Sequence, residues 1–122
     1  MLYAILCYHD EDTLGSWTKE QDAEVMKKLA VVQDSLTKQG RLGPVARLLP
    51  TTAATTLRKN DPPIVLDGPY AETKEQLLGF YIVDCNNLDE ALDVARDLGA
   101  ANPGGAYEIR PVGMLNQGSI AR

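Results

Sequence analysis

The sequence predicts a ferredoxin-like α+β fold: an antiparallel sheet, two helices on one face and an inserted β-hairpin. Three observations predict it. Met1–Tyr8 and Leu78–Cys85 are apolar at both parities, as strands covered on both faces are. Two amphipathic helices with cap signals follow strands, one in each half of the chain. The order is then strand, helix, strand, hairpin, strand, helix, strand.

Met1–Tyr8 is the first strand, and the acidic stretch His9–Ser16 after it reads as a loop. The first helix spans Thr18–Gln39. Thr18 with Gln21 makes a capping box, and Gly40 stops the helix. Val25, Leu29, Val32 and Leu36 fall on one face; Met26 and Leu29 are expected in the core. Arg41–Pro50 reads as a strand weakened by Gly43-Pro44. Thr51–Ala54 is a connector, and Thr55–Lys59 pairs with Pro63–Leu66 around Asn60-Asp61. After the strand Leu78–Cys85, Asn87 and Glu90 cap a second helix. Leu88, Ala91, Leu92, Ala95 and Leu98 line its face, and Gly99 ends it. Asn102–Gly105 is a loop. Ala106–Val112 is the last strand, with Tyr107 and Ile109 alternating against Glu108 and Arg110. Residues 1–112 are expected as one domain. Residues 113–122 form a tail that is either frayed or an arm on a partner.

The composition excludes several function classes. The chain has 122 residues and a net charge of −5. It lacks the basic face that nucleic acid or an anionic membrane needs. Met1–Tyr8 is too short to span a bilayer, and no basic segment leads it, so it is not a signal peptide. Two cysteines, Cys7 and Cys85, make neither a disulfide framework nor a metal knuckle. The cytoplasm is the expected compartment. No metal or cofactor site is expected, since one histidine and scattered acids make no metal set and no glycine-rich phosphate loop precedes a helix.

The densest chemistry lies in Val65–Tyr81. Gly68 permits positive φ and Pro69 fixes φ, so Asp67-Gly68-Pro69 breaks the strand before it. The Asp67 carboxylate suits an Asx-type turn onto the following N–H groups. Glu72, Thr73, Lys74, Glu75 and Gln76 then run without an apolar break. The run is either a solvated loop or a rim that presents Asp67, Glu72 and Lys74 to a cleft. Connectivity brings Tyr8, His9 and Asp10 to the start of the strand Leu78–Cys85, where this loop enters. His9 and Asp67–Lys74 should therefore cluster, with Trp17 nearby. Cys7 and Cys85 fall at opposite ends and should not bond.

His9 is the one histidine. It is the candidate proton carrier, with Asp67 its candidate partner or orienter; Asp10, Glu11 and Glu72 are other carboxylates that suit the orienting role. The other reading of His9 is a loop residue in solvent. Tyr8, Asp10, Gly68, Pro69 and Tyr70 are candidate binding residues at the same end. Lys74 and Arg110 are the candidate anion contacts, and Arg110 otherwise pairs with Glu108 or faces solvent. Tyr81 lines a cleft or packs in the core.

The stretch Val65–Tyr81 resembles the signature of the YCII-related, or DGPF-domain, family, with Tyr70 where Phe is usual. The similarity extends over about Leu2–Val112 and is strong again at Tyr107–Val112. It implies a dimeric α+β barrel, and an acid–base His–Asp pair has been proposed in the wider family. Many members carry a candidate histidine on the first helix, whereas Met26–Val32 here holds none. Many also have a small residue followed by Glu where this chain reads Val45-Ala46-Arg47.

A dimer is also expected from the residues alone. Two helices cover one face of a sheet whose strands are apolar on both. Three functions then stand side by side. One is a homodimeric small-molecule enzyme of the lyase or isomerase kind, working through His9. The second is a non-catalytic ligand-sensing or regulatory module, which the resemblance links to alternative sigma factors. The third is a structural dimer with no site. The surroundings of His9 discriminate among them.

Overall fold

A computed structural model describes residues 1–121. Four strands form one antiparallel sheet: β1 (Leu2–Asp10), β2 (Leu42–Arg47), β5 (Glu75–Asp84) and β6 (Ala106–Pro111), in the order β2-β5-β1-β6. β3 (Thr55–Arg58) and β4 (Ile64–Asp67) pair only with each other, as a separate hairpin. The helices are α1 (Glu11–Gly15), α2 (Lys19–Lys38) and α3 (Leu88–Ala101). This is the ferredoxin-like arrangement with one insertion.

The pleat sorts the strand residues. Register pairs Tyr3 with Val83 and Ile5 with Tyr81 across β1 and β5, and Ile5 with Ile109 across β1 and β6. Tyr3, Ile5, Tyr81 and Val83 are buried beneath the two long helices. Leu29 and Leu36 come down from α2, and Ala91, Val94, Ala95, Leu98 and Ala101 from α3. Small residues on α3 let that helix lie close to the sheet, and Leu98 is fully enclosed. Burying such a leucine is worth ~1.5–3 kcal/mol.

The caps act as their sequence predicts. The Thr18 hydroxyl accepts from the Gln21 N–H at 3.0 Å, and the Gln21 side chain accepts from the Thr18 N–H at 2.9 Å. Asn87 caps α3 by accepting from the Glu90 N–H at 3.0 Å. The Glu90 carboxylate turns back to the Asn86 backbone N–H and side-chain amide instead. These bonds hold it below the usual carboxylate range, with Arg41 adding to them.

Several boundaries differ from expectation. β1 continues through Asp10, and α1 occupies what reads as a loop, because the Asp10 carboxylate accepts from the Asp12 N–H at 2.9 Å and starts a helix there. β5 begins at Glu75, so the end of the polar run is strand, not loop. β2 stops at Arg47, although Leu48 still donates to the Leu78 carbonyl at 2.9 Å. α3 runs past Gly99 to Ala101. Met26 is not in the core: it is 40% exposed, at the margin of the buried stripe, where Arg47 reaches both its sulfur and Asp22.

The face of the sheet turned away from the helices carries Leu2, Ala4, Leu6, Phe80 and Ile82. No helix among the described residues lies over it. Gly43 lets β2 approach closely there: a Cβ on it would stand 3.0 Å from the Ile82 carbonyl oxygen.

Candidate functional site

His9 lies near the C-terminal end of β1, on the parity that faces the helices. A register shift between Cys7 and Tyr8 leaves Leu78 unmatched and sets His9 opposite Gln76. The start of β5 and the end of β1 are thus side by side, as connectivity requires. Gln76 in turn holds the signature loop: its amide donates to the Ala71 and Thr73 carbonyls, each at 2.9 Å.

The His9 ring is enclosed and 9% exposed, not in solvent. Nδ1 stands 3.1 Å from the Asp10 carbonyl oxygen, and Nε2 stands 3.4 Å from that of Pro103. Trp17 meets the ring edge-on, with centroids 6.2 Å apart. The loop after α3 closes the remaining side. Gly104 and Gly105 have φ of +88° and +74°, and a Cβ on Gly104 would stand 2.7 Å from Nε2. A Cβ on Gly105 would strike the Tyr8 carbonyl oxygen. Two glycines therefore press the chain against the ring. A neutral imidazole donates to one carbonyl at a time, and backbone oxygens fill both directions.

The nearby carboxylates have other partners. Asp10 caps α1. Glu11 accepts from the Thr51 N–H at 2.7 Å and from the Thr51 hydroxyl, which ties α1 to the root of the hairpin. Asp67 is exposed on β4, in register with Thr55, and no hydrogen bond joins it to His9. The turn after it closes through the backbone, not through an Asx bond. Gly68, at φ +107°, donates to the Ala54 carbonyl at 2.8 Å, and the Thr56 hydroxyl donates to the Gly68 carbonyl at 2.8 Å. Pro69 is half-buried. Tyr70 is exposed, with the Arg58 guanidinium 5.2 Å from its ring centre. Glu72 and Lys74 are exposed. Lys74 makes no ion pair among the described residues.

Two candidates lie on the sheet's outer face. The Tyr8 hydroxyl donates to Glu108 at 3.4 Å, and Arg110 stands exposed opposite Ala4. Tyr81 is on the inner face, 7% exposed, as a core residue.

The structure adds an interior polar group that no sequence motif marks. Cys7, Tyr81 and Tyr107 share the space beneath the helices with Gln33 and Asn102. Burial pushes the Cys7 thiol and the Tyr107 hydroxyl each up to about 12, and raises Tyr81 as well. The Tyr107 hydroxyl and the Asn102 side-chain oxygen are both buried, and they approach each other too loosely for a full hydrogen bond. The alternation along the last strand was the one available signal, since it put Tyr107 on the inner face. Cys7 and Cys85 are free thiols at opposite ends of the sheet, as connectivity predicts.

A recess of about 510 Å³ lies between α2 and α3, lined by Val31, Leu36, Arg41, Glu90, Asp93 and Asp97 among others. It is remote from His9 and from the signature loop. No group of three His, Cys, Asp or Glu among the described residues is placed to hold a metal ion. No helix among them is long and apolar enough to cross a membrane.

The model of the YCII-related domain matches residues 1–116. The chain belongs to the YCII-related family. An uncharacterised protein of Rhizobium meliloti (strain 1021), R00369, is 58% identical over 122 residues, which is 98% of each chain. In this YCII-related chain the signature stretch begins in β4 and ends in β5. It links the hairpin to β5 and is closed by backbone and amide hydrogen bonds.

Proposed function

We propose that this YCII-related protein is a non-catalytic binding module that works as a homodimer. The observation that carries this reading is the sheet's outer face. Leu2, Ala4, Leu6 and Phe80, all half-buried, surround a buried Ile82 in an apolar face over two adjacent strands with no helix of the described residues above it. Pairing with a second copy by two-fold symmetry removes such a surface most simply. His9 supports the non-catalytic part. Acid–base work needs a ring nitrogen open to substrate and a second group to orient the ring. Both nitrogens face backbone carbonyls, and the ring makes no carboxylate hydrogen bond. The role of His9 is then to fasten the loop between α3 and β6 to the end of β1.

Tyr8, Tyr70, Glu72, Lys74 and Arg110 remain open for contacts with a ligand or partner. A ligand-sensing or regulatory role of the sigma-factor-linked kind fits this better than proton transfer between His9 and Asp67. The free thiols fit a reducing compartment such as the cytoplasm.

Sedimentation equilibrium tests the reading. The protein is expected at twice the chain mass of 13.3 kDa. Phe80→Glu is expected at the single mass with unchanged far-ultraviolet circular dichroism. A wild-type protein that sediments as a monomer at millimolar concentration overturns the dimer.

A further inference from the structure

The acceptors around His9 outnumber the protons of a neutral ring. Nδ1 has the Asp10 carbonyl oxygen at 3.1 Å, and Nε2 has that of Pro103 at 3.4 Å, both in hydrogen-bond geometry. A neutral imidazole carries one N–H and one bare lone pair. Whichever tautomer forms, one ring lone pair points at a carbonyl lone pair with no proton between them. An imidazolium donates from both nitrogens and satisfies both oxygens. The ring is 9% exposed, so water has little access to relieve the mismatch.

The charges near the ring favour the same state. Asp10 and Glu11 follow it, Asp12 lies on α1, and Glu75 is in register with Asp10 on β5. No ion pair neutralises any of these acids among the described residues. Lys74, the nearest base along β5, is exposed and lies one residue beyond Glu75. Cys7 is kept neutral by burial, and Tyr8 turns its hydroxyl to Glu108 on the outer face. Trp17 and the Asn102–Gly105 loop carry no charge. No side chain of α2 hydrogen-bonds to the ring among the described residues. A negative surround favours a positive ring.

We infer that His9 is a proton-operated latch: the charged ring clamps the loop between α3 and β6 to the end of β1, and loss of the proton releases that loop. The loop is built to respond. Among the described residues no other hydrogen bond holds Pro103, Gly104 or Gly105, so the ring is their one polar tether. Both glycines have positive φ and press on the ring, so the tether works at close range. The clamped loop binds the proton more tightly than the open loop does. Clamping is therefore complete at acidic pH and is lost as pH rises through the titration of the ring. Histidine is the side chain whose charge changes between about pH 5 and about pH 8, so the latch works in the physiological range.

The inference rests on the fastening role given to His9 above and does not need the dimer. Nuclear magnetic resonance on the wild-type protein tests it, since the chain has one histidine and its ring signals are unambiguous. The Cβ direction of Gly104 stands 3.2 Å from Cε1, so the Overhauser effect between His9 Hε1 and the Gly104 α-protons reports the clamped loop. From about pH 8 to about pH 5 this effect is expected to rise at least twofold, with the same midpoint as the Hε1 shift. Urea unfolding gives the second reading. Over that range the folding equilibrium constant of the wild type is expected to gain at least threefold on that of His9→Gln, whose amide stays neutral. An Overhauser effect that is strong throughout and indifferent to pH overturns the latch and leaves the fastening role standing. An effect that falls on acidification, or an equal stability gain in the two proteins, also overturns the latch alone. Absence of the effect at every pH overturns the latch and the fastening role together.

Discussion

β5 and the β3–β4 hairpin are built from similar residues and meet opposite fates. β5 places Tyr81, Ile82 and Val83 in succession, and all three are buried. β4 places Ile64, Val65 and Leu66 in succession, and all three are exposed. Leu78–Cys85 reads as a strand covered on both faces and Pro63–Leu66 as an arm of a hairpin, yet both carry an apolar run. The difference lies in coverage. β5 is flanked by β1 and β2 on either side and roofed on its inner face by α2 and α3, and even Ile82 on the other face is hemmed in by its neighbours. β4 has one neighbouring strand and no roof. An apolar run therefore states that a strand needs cover on both faces, and not that its own chain provides it.

Four substitutions or conditions sharpen this comparison. The largest effect is expected in the covered region. Leu98→Ala removes a fully enclosed side chain and should cost ~2–5 kcal/mol in urea unfolding. Gly105→Ala comes next. It puts a Cβ into the Tyr8 carbonyl at φ +74°, and should cost ~1–3 kcal/mol and free the His9 ring, visible as a changed ring proton spectrum. Thr18→Ala removes a cap from the roof and should cost ~1 kcal/mol. Leu57→Ser, on the hairpin, should alter the stability of the monomer by under ~0.5 kcal/mol, because the side chain is mostly in water already. An unfolding loss from Leu57→Ser as large as that from Leu98→Ala, measured in dilute monomer, would break the comparison.

Alkaline pH probes the covered region in another way. Cys7 ionises at about 12 in the fold against an ordinary value of 9.0, because burial disfavours the thiolate. The unfolded chain therefore loses this proton first. Stability from this source is full below pH 9 and falls as pH rises toward 12. Tyr107, pushed from 10.0 up to about 12, acts in the same sense over the upper part of that range. Cys7→Ala should flatten the decline measured by thermal unfolding between pH 9 and 11.

The sequence by itself determined the strand and helix order, both long-helix caps, the hairpin insertion and the separation of Cys7 from Cys85. These follow from local periodicity, cap chemistry and connectivity, which need no knowledge of distant contacts. It also set the end of β1 beside the start of β5, where His9 lies opposite Gln76, through antiparallel pairing alone. Only the tertiary structure decided what surrounds His9. Trp17 beside it was expected from connectivity, but the rest of its cover comes from Gly104-Gly105, about 95 residues along the chain, and no local pattern couples these to His9. Met26 and Leu29 look alike on a helical repeat, yet only Leu29 points into the sheet, because the crossing of helix and sheet sets the edge of the buried stripe. The exposure of Ile64–Leu66 was likewise hidden, since burial belongs to the neighbours that a strand acquires and not to the strand.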